Sequence, residues 1–221
     1  MKTGMYVTDV VKRPEEPIGR YVRDAFPDVS RAVNSALRDL KDCVTHRPVG
    51  KINYRQVGMA VDYQLRIRLN CFDFEDSVAR EGIRSSLGTG SPNSFKSVCE
   101  AFLSRYDELH EKALGDEMSM SKLCLSLAYL ESIYRAGPGA FEISFKSLQE
   151  FLEWPAEETR EVCLLSRCAA QALLVSSNAK ICGNPVLGDA ILAADGDLIL
   201  DGCLIDVKVT VNPRQRQLEK T

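Results

Sequence analysis

Two aspartates and a lysine near the C-terminal end of the sequence have the residue types and spacing for metal-assisted chemistry. Asp197 precedes one apolar run, and Asp206 and Lys208 lie within the next, CLIDVKV. Asp201-Gly202 separates the two runs, and Asp-Gly in that position is a strong hairpin signal. If these residues form the turn, Asp197 faces Asp206, and Lys208 shares their face because side chains alternate along a strand.

The facing carboxylates are unfavourable by themselves. Two directly opposed carboxylates repel each other unless a cation or a proton offsets their charge. Mg²⁺ prefers oxygen ligands and usually keeps several waters, so Asp197 and Asp206 suffice as its protein ligands, with Mn²⁺ as a substitute. Such an ion could polarise a phosphodiester, while Lys208 orients the attacking water or stabilises the developing negative charge. The expected chemistry is metal-assisted phosphodiester hydrolysis.

The same turn predicts a register and two strand faces. The expected facing pairs are Leu200–Cys203, Ile199–Leu204 and Leu198–Ile205. Both faces of this small β-meander are largely apolar, which is typical of strands that helices cover on both sides.

A simpler structural interpretation stands beside the metal site. If the strand pairing extends far enough, Asp195 faces Lys208 in an ordinary cross-strand ion pair. Alternatively, Asp195-Gly196 is itself a turn between ILAA and DLIL, which removes Asp195 from the ladder.

The rest of the chain is predicted to be mostly helical. We expect one helix from about Pro17 to Phe26 and a second from Asp28 to about Asp42. The stretch VGMAVDYQLRIRLNCF fits both helical and strand periodicity, and its length favours a helix. Arg66 and Arg68 in this stretch, with Arg55 just before it, form either a phosphate-binding face or an ordinary solvated one. IRSSLGTGSPNS, rich in Gly and Ser, is predicted to be a linker between helices.

Two amphipathic helices are expected between Asn93 and Ala136. Their apolar stripes consist of Phe95, Val98, Phe102, Tyr106 and Leu109 in the first, and Met120, Leu123, Leu127, Leu130 and Tyr134 in the second. A short helix, SFKSLQEFLEW, and a longer one from about Ala156 to Ser176 complete the prediction.

Composition and charge are those of an ordinary globular protein. The 221 residues are 45% hydrophobic and 27% charged, with no apolar run of transmembrane length and no signal peptide, so we expect a cytoplasmic protein without membrane contact. The eight cysteines form no C-x-x-C pair and are expected to be reduced thiols that pack as small apolar side chains. Residues 1–70 hold 13 Lys/Arg against 8 Asp/Glu, a basic excess that suits either phosphate contacts or solvated helix faces.

The arrangement of Asp197, the DLIL strand, the short turn and Asp206-Val207-Lys208 resembles the PD-(D/E)XK nuclease superfamily. The resemblance covers about thirty residues and implies a restriction-endonuclease-like core. It implies DNA as the substrate, with RNA as the less favoured alternative. It implies Asp197 and Asp206 as Mg²⁺ ligands and Lys208 as the catalytic lysine. Gly196 stands where the family often has Pro.

The resemblance also implies an acidic residue on the helix before the meander. Glu161 is the first choice and Glu157 the alternative, with Asp195 and Asp189 as second-line candidates. After CLIDVKVT, which contains the D-x-K motif, only VNPRQRQLEKT follows, so we expect the nuclease-like core to be incomplete at its C-terminal end.

The resulting fold hypothesis is α+β or α/β, with a helical region at 1–150 and a nuclease-like core at 151–221. The leading function is a metal-dependent DNA nuclease. A non-catalytic helical binding or adaptor protein with an inactive core is the alternative, and a phosphohydrolase of another fold is a weaker third. The oligomeric state is left open.

Overall fold

The computed structural model describes residue 20 and residues 52–88, 90–137, 143–173, 179–183 and 198–205. The two helices expected between Pro17 and Asp42 lie outside these residues. The described helices are α1 (Tyr54–Arg68), α2 (Val78–Leu87), α3 (Asn93–Leu114), α4 (Glu117–Ala136), α5 (Leu148–Leu152) and α6 (Ala156–Leu173). The described strands are β1 (Ile181–Gly183), β2 (Leu198–Leu200) and β3 (Cys203–Ile205).

Helix α4 lies at the centre of the described bundle. Asp116 caps its first turn by accepting hydrogen bonds from the backbone N–H groups of Met118 and Ser119. Helices α1, α2, α3, α5 and α6 all pack against it. Its buried residues are Met120, Ser121, Leu123, Cys124, Leu125, Ser126, Leu127, Ala128, Leu130, Glu131, Ser132 and Ile133. They surround the helix rather than forming the single predicted stripe, and Tyr134, predicted to be in that stripe, is 51% exposed.

The ambiguous stretch after residue 56 is helical, which confirms the length-based prediction. Asn53 caps α1 by accepting a hydrogen bond from the Gln56 N–H at 3.2 Å. Two glutamines on α1 are buried because α4 supplies hydrogen-bond partners for them. Gln56 Nε2 donates to the Leu125 carbonyl at 2.7 Å, and Gln64 Oε1 accepts from Ser121 Oγ at 2.9 Å. These bonds stabilise a polar helix face inside the core.

The predicted linker IRSSLGTGSPNS is wrong in its first half, because Ile83–Leu87 belong to α2. The residue just before this segment, Gly82, allows close helix packing. A Cβ atom added to Gly82 would lie 2.0 Å from the Leu130 carbonyl oxygen of α4. Ser86 is fully buried, and its hydroxyl donates to the Gly82 carbonyl at 2.8 Å. Gly82, the residue just before the predicted linker, therefore marks a tight contact between α2 and α4.

Aromatic side chains fill the space between α3, α4 and the α5 region. The stripe predicted for α3 is confirmed, since Phe95, Val98, Phe102 and Tyr106 are buried and Leu109 packs against the core. Phe151 of α5 meets the Phe95 and Phe102 rings edge to face, with ring centroids 5.9 and 5.5 Å apart. Such edge-to-face contacts favour one fixed arrangement of the core.

The three described strands form an antiparallel sheet in the order β1-β2-β3. The register of β2 and β3 pairs Leu198 with Ile205, Ile199 with Leu204 and Leu200 with Cys203, which confirms the three pairs predicted from the sequence. A mainly helical body with a small antiparallel sheet is an α+β arrangement.

Helix α6 packs against α1 and α4, and its Val162 belongs to the same core as the preceding helices. The boundary near residue 150 between a helical region and a nuclease-like core stays a prediction.

We predict that Gly82→Ala lowers the free energy of unfolding by about 2 kcal/mol or more, because the new methyl group would overlap the backbone of α4. Chemical unfolding followed by circular dichroism measures this change. Gly115→Ala is the matched control, since a Cβ atom at Gly115 would have no neighbour within 4 Å. Equal stability of the two variants would contradict the close contact.

Candidate functional site

The hairpin turn between β2 and β3 has the geometry that its sequence predicts. Asp201 and Gly202 have φ values of 48° and 83°, both in the left-handed region. Positive φ at both central residues is the signature of a type I′ turn, which Asp-Gly favours. Asp201 also joins the turn to the residue before β1. Its Oδ1 accepts a hydrogen bond from Lys180 N–H at 2.8 Å, and its own N–H donates to the Lys180 carbonyl at 2.9 Å.

The predicted metal ligands and catalytic lysine lie immediately beyond this hairpin. Leu198 and Ile205 form the last described pair of the β2–β3 ladder. Asp197 and Asp206 are the next residues in the sequence on either side, and they lie outside the described residues, as does Lys208. The second-line candidates Asp189 and Asp195 also lie outside them.

One face of the sheet packs against the helical bundle. Paired residues share a face, so Gly183 and Leu198 lie on the same side. Leu198 is fully buried. A Cβ atom on Gly183 would lie 2.2 Å from the Cys71 carbonyl oxygen and 3.2 Å from its Sγ, so β1 touches the turn that follows α1. Gly183 is needed there because any side chain would push the sheet away.

The other face is more open than the sequence predicted. Cys182 and Ile199 are paired and therefore lie opposite the Gly183 face. Cys182 is exposed and Ile199 is only half-buried. Among the described residues the close contact with the bundle is on the Gly183 face, and the expectation that helices cover both sides is not met at Cys182. Apolar residue types on both faces did not reveal which face is covered.

Glu161 is held within the helical bundle. It is only 4% exposed, and the Tyr54 hydroxyl donates to its Oε1 at 3.5 Å. Burial, followed by the charge of Glu161, raises the pKa of Tyr54. Tyr54 begins α1, whereas the sheet contacts Cys71 beyond the other end of this 15-residue helix. At 1.5 Å per residue, the two ends are about 21 Å apart.

The alternative acidic residue, Glu157, is exposed in the first turn of α6. Its neighbour Glu158 accepts a hydrogen bond from the Asn53 N–H at 3.1 Å, again at the start of α1. The acidic first turn of α6 therefore lies beside the N-terminal end of α1.

The structure brings together one polar cluster that sequence patterns do not indicate. Glu117, at the start of α4, accepts hydrogen bonds from Arg68 Nη2 through Oε1 at 2.7 Å and from Arg167 Nη2 through Oε2. The Cys163 thiol donates to Oε2 at 3.2 Å. We call these four residues the Glu117 cluster, and they join α1, α4 and α6. Hydrogen bonds from Arg68, then Arg167 and Cys163, lower the pKa of Glu117 to about 2.

The arginines of α1 do not form a common face, so both predictions for Arg66 are wrong. Arg66 is buried and ion-paired with Asp62 one turn earlier, and its guanidinium lies 4.9 Å from the Tyr63 ring centroid. Arg68 belongs to the Glu117 cluster, and Arg55 is exposed. The i,i+4 spacing of Asp62 and Arg66 is compatible with this ion pair, but spacing alone gave no sign that the pair would be buried.

The described cysteines are free thiols. Cys99 and Cys124 lie in the core, which confirms their predicted packing role, and burial raises the pKa of Cys99 to about 12. Within the described ranges no group of three or more His, Cys, Asp or Glu side chains is placed to hold a metal ion. The Asp197–Asp206 pair is not part of those ranges.

No known protein family, curated protein or solved structure matches this chain. The part of the fold that is described contains no assembled PD-(D/E)XK core, so the nuclease resemblance depends on the sequence motif and on the β2–β3 hairpin. None of the described helices combines the length and the apolar character needed to cross a bilayer.

We predict that Glu117→Gln lowers the free energy of unfolding by about 1 kcal/mol at neutral pH, a small value because the Glu117 side chain is 41% exposed. The folded pKa lies below the ordinary value of 4.5, so the charge of Glu117 stabilises the protein above pH 4.5. This contribution is lost as the pH falls from 4.5 to about 2, and the wild type and the variant should converge there.

Urea unfolding at several pH values measures this difference. Glu111→Gln, on the exposed part of α3, is the control and should leave stability almost unchanged at neutral pH. A constant gap between wild type and Glu117→Gln down to pH 2 would contradict the role of this carboxylate.

Proposed function

We propose that this protein is a metal-dependent nuclease that hydrolyses phosphodiester bonds of DNA. Asp197 and Asp206 bind Mg²⁺ or Mn²⁺ in this proposal, and Lys208 is the catalytic lysine. The observation that carries it is the β2–β3 register, in which Leu198 pairs with Ile205. Asp197 and Asp206 are the next residues on the two strands, so continuation of this ladder predicts that they face each other.

The open face of the sheet also supports the proposal. Asp197 is two residues from Ile199, so strand alternation predicts that it shares the face of Ile199 and Cys182. That face carries the exposed Cys182 side chain. Carboxylates on an open face would be accessible to solvent, a cation and a polymeric substrate, and they would avoid the desolvation cost of a face covered by helices.

The donor set fits a hard divalent cation. Carboxylate oxygens are the ligands that Mg²⁺ prefers, and a cation offsets the repulsion that a ladder with two facing aspartates implies. When bound, the ion supplies Lewis-acid polarisation of the phosphate and lowers the pKa of the attacking water. Asp197 and Asp206 hold the ion and fix its place on the sheet. Lys208 orients the water and stabilises negative charge that develops on the phosphate.

The proposal does not include Glu161. Its carboxylate is buried beside Tyr54 at the start of α1, while the sheet contacts the bundle at Cys71. We place the reaction in the cytoplasm, as the sequence predicts.

We predict that Asp206→Ala and Lys208→Ala each reduce Mg²⁺-dependent cleavage of DNA by about 10²-fold or more, because they remove a ligand and the group that orients the nucleophile. Cleavage of plasmid and of end-labelled linear DNA by the purified full chain measures the loss. Asp107→Ala and Lys112→Ala, both at exposed positions on α3, are the matched controls and should cut like the wild type. Cleavage that survives in both Asp206→Ala and Lys208→Ala would refute the assignment.

A second prediction concerns metal binding without substrate. Mg²⁺ or Mn²⁺ should raise the melting temperature of the wild type, because a ligand that binds only the folded state stabilises it. The Asp206→Ala variant should lose this shift and keep its melting temperature in EDTA.

One observation favours a non-catalytic adaptor as the second candidate. The acidic residue chosen for the site, Glu161, lies in the helical interior, and the described chain is dominated by the closed helical core. An adaptor would show no metal-dependent shift in melting temperature and no cleavage, so the same two measurements distinguish the candidates.

A further inference from the structure

The Glu117 cluster lies at the end of the bundle where the sheet docks. Arg68 is the last residue of α1, and Cys71, three residues later, touches Gly183 of β1. Three residues span at most about 11 Å, so Arg68 begins close to the edge of the sheet. Arg167 reaches the same carboxylate from α6. A pair of guanidinium groups therefore flanks the part of the fold that carries the proposed metal site.

The cluster contains more positive than negative charge. Two arginines share the single carboxylate of Glu117. Cys163 adds no negative charge, because burial and its hydrogen bond to Glu117 raise the pKa of its thiol. The neighbouring Asp116 carboxylate is also negative, but its hydrogen bonds come from the N–H groups of Met118 and Ser119 and from the Ser119 hydroxyl at the start of α4.

The second arginine is not needed to neutralise Glu117. One guanidinium would balance the carboxylate, and the other brings an additional like charge close to the first, which is unfavourable in isolation. An anionic ligand that contacts both guanidinium groups would offset this repulsion.

Both guanidinium groups retain donors for such a ligand. A guanidinium has five N–H groups, and the contacts to Glu117 come from Nη2 in each case. The side chain of Arg167 is 53% exposed and that of Arg68 is 27% exposed. Guanidinium groups bind phosphate oxygens through paired hydrogen bonds, so the chemistry of the exposed donors fits a phosphodiester backbone.

We propose that Arg68 and Arg167 contact backbone phosphates of the DNA substrate, which compete with the Glu117 carboxylate for the two guanidinium groups. This inference rests on the proposed nuclease function and adds a substrate contact to it. The contacts would hold the strand near the edge of the sheet and would be independent of sequence, since phosphate contacts carry no base information.

The test measures binding of a fluorescein-labelled DNA duplex by fluorescence anisotropy, in EDTA, over a range of salt concentrations. Arg68→Gln and Arg167→Gln should each weaken binding and reduce the slope of log K against log salt by about 1, as expected for the loss of one phosphate contact. Glu117→Gln should bind DNA more tightly than the wild type, because it removes a competing carboxylate and leaves both arginines in place. A solely structural role for the cluster predicts no such gain.

Helix α3 offers matched controls for charge and for ion pairing. Glu108 is also held by two cations, Arg105 and Lys112, and their hydrogen bonds lower its pKa to about 2. Helix α3 packs against α2, α4 and α5, whereas the Glu117 cluster joins α1, α4 and α6. Arg105→Gln and Glu108→Gln change the net charge by the same amounts as the cluster variants, and they should leave DNA affinity nearly unchanged. Melting temperatures in EDTA identify any variant that fails to fold.

The outcomes separate this inference from the function on which it rests. Equal losses of DNA affinity in Arg105→Gln and Arg167→Gln would overturn the role of the cluster. Weaker DNA binding by a folded Glu117→Gln variant would also overturn it. Wild-type cleavage with normal binding by both cluster arginine variants would overturn the inference while the nuclease function stands. Arginine-dependent binding without any Mg²⁺-dependent cleavage would reject the nuclease function instead. Binding of an RNA duplex alone, or of neither nucleic acid, would overturn the DNA contact.

Discussion

The described fold depends on the burial of α4 on nearly all of its sides. A helix in this position requires a partner for every polar side chain that it carries into the core. Ser121 meets Gln64, and the Ser126 hydroxyl donates to the Phe151 carbonyl at 2.8 Å while accepting from Trp154 Nε1 at 2.9 Å. These bonds fix α1 and the α5–α6 connection relative to α4, and the shared core places the remaining helices.

Features set by local chemistry could be predicted from the sequence. The α3 stripe follows from helical spacing, and the β2–β3 register follows from Asp201-Gly202, because both signals act over a few residues. Tertiary packing overrode local signals elsewhere. The serines of IRSSLGTGSPNS suggested a loop, but Ser86 is buried in α2, and the preceding Gly82 lets α2 approach α4 closely. Tyr134 fitted an apolar stripe, yet it lies where α4 leaves the enclosed core.

The candidate site likewise combines features that local sequence predicts with features that only tertiary packing creates. Asp197, Asp206 and Lys208 could be singled out because a turn and an alternating pattern relate them within about a dozen residues. The Glu117 cluster could not, because its members come from three helices and meet only in the folded chain. The openness of the Cys182 face was equally hidden, since residue types on a strand do not reveal which side a neighbouring element covers.

The position of Trp154 has a practical consequence for spectroscopy. It is the single tryptophan of the chain, its indole N–H is bound to Ser126, and no Phe, Tyr or Trp follows it in the sequence. Intrinsic fluorescence therefore reports on the junction between α4 and the α5–α6 connection, whereas the sheet contributes no fluorophore of its own. Separation of the sheet from the helices would change the emission only indirectly, and an extrinsic dye on the exposed Cys182 would report on it from the sheet itself.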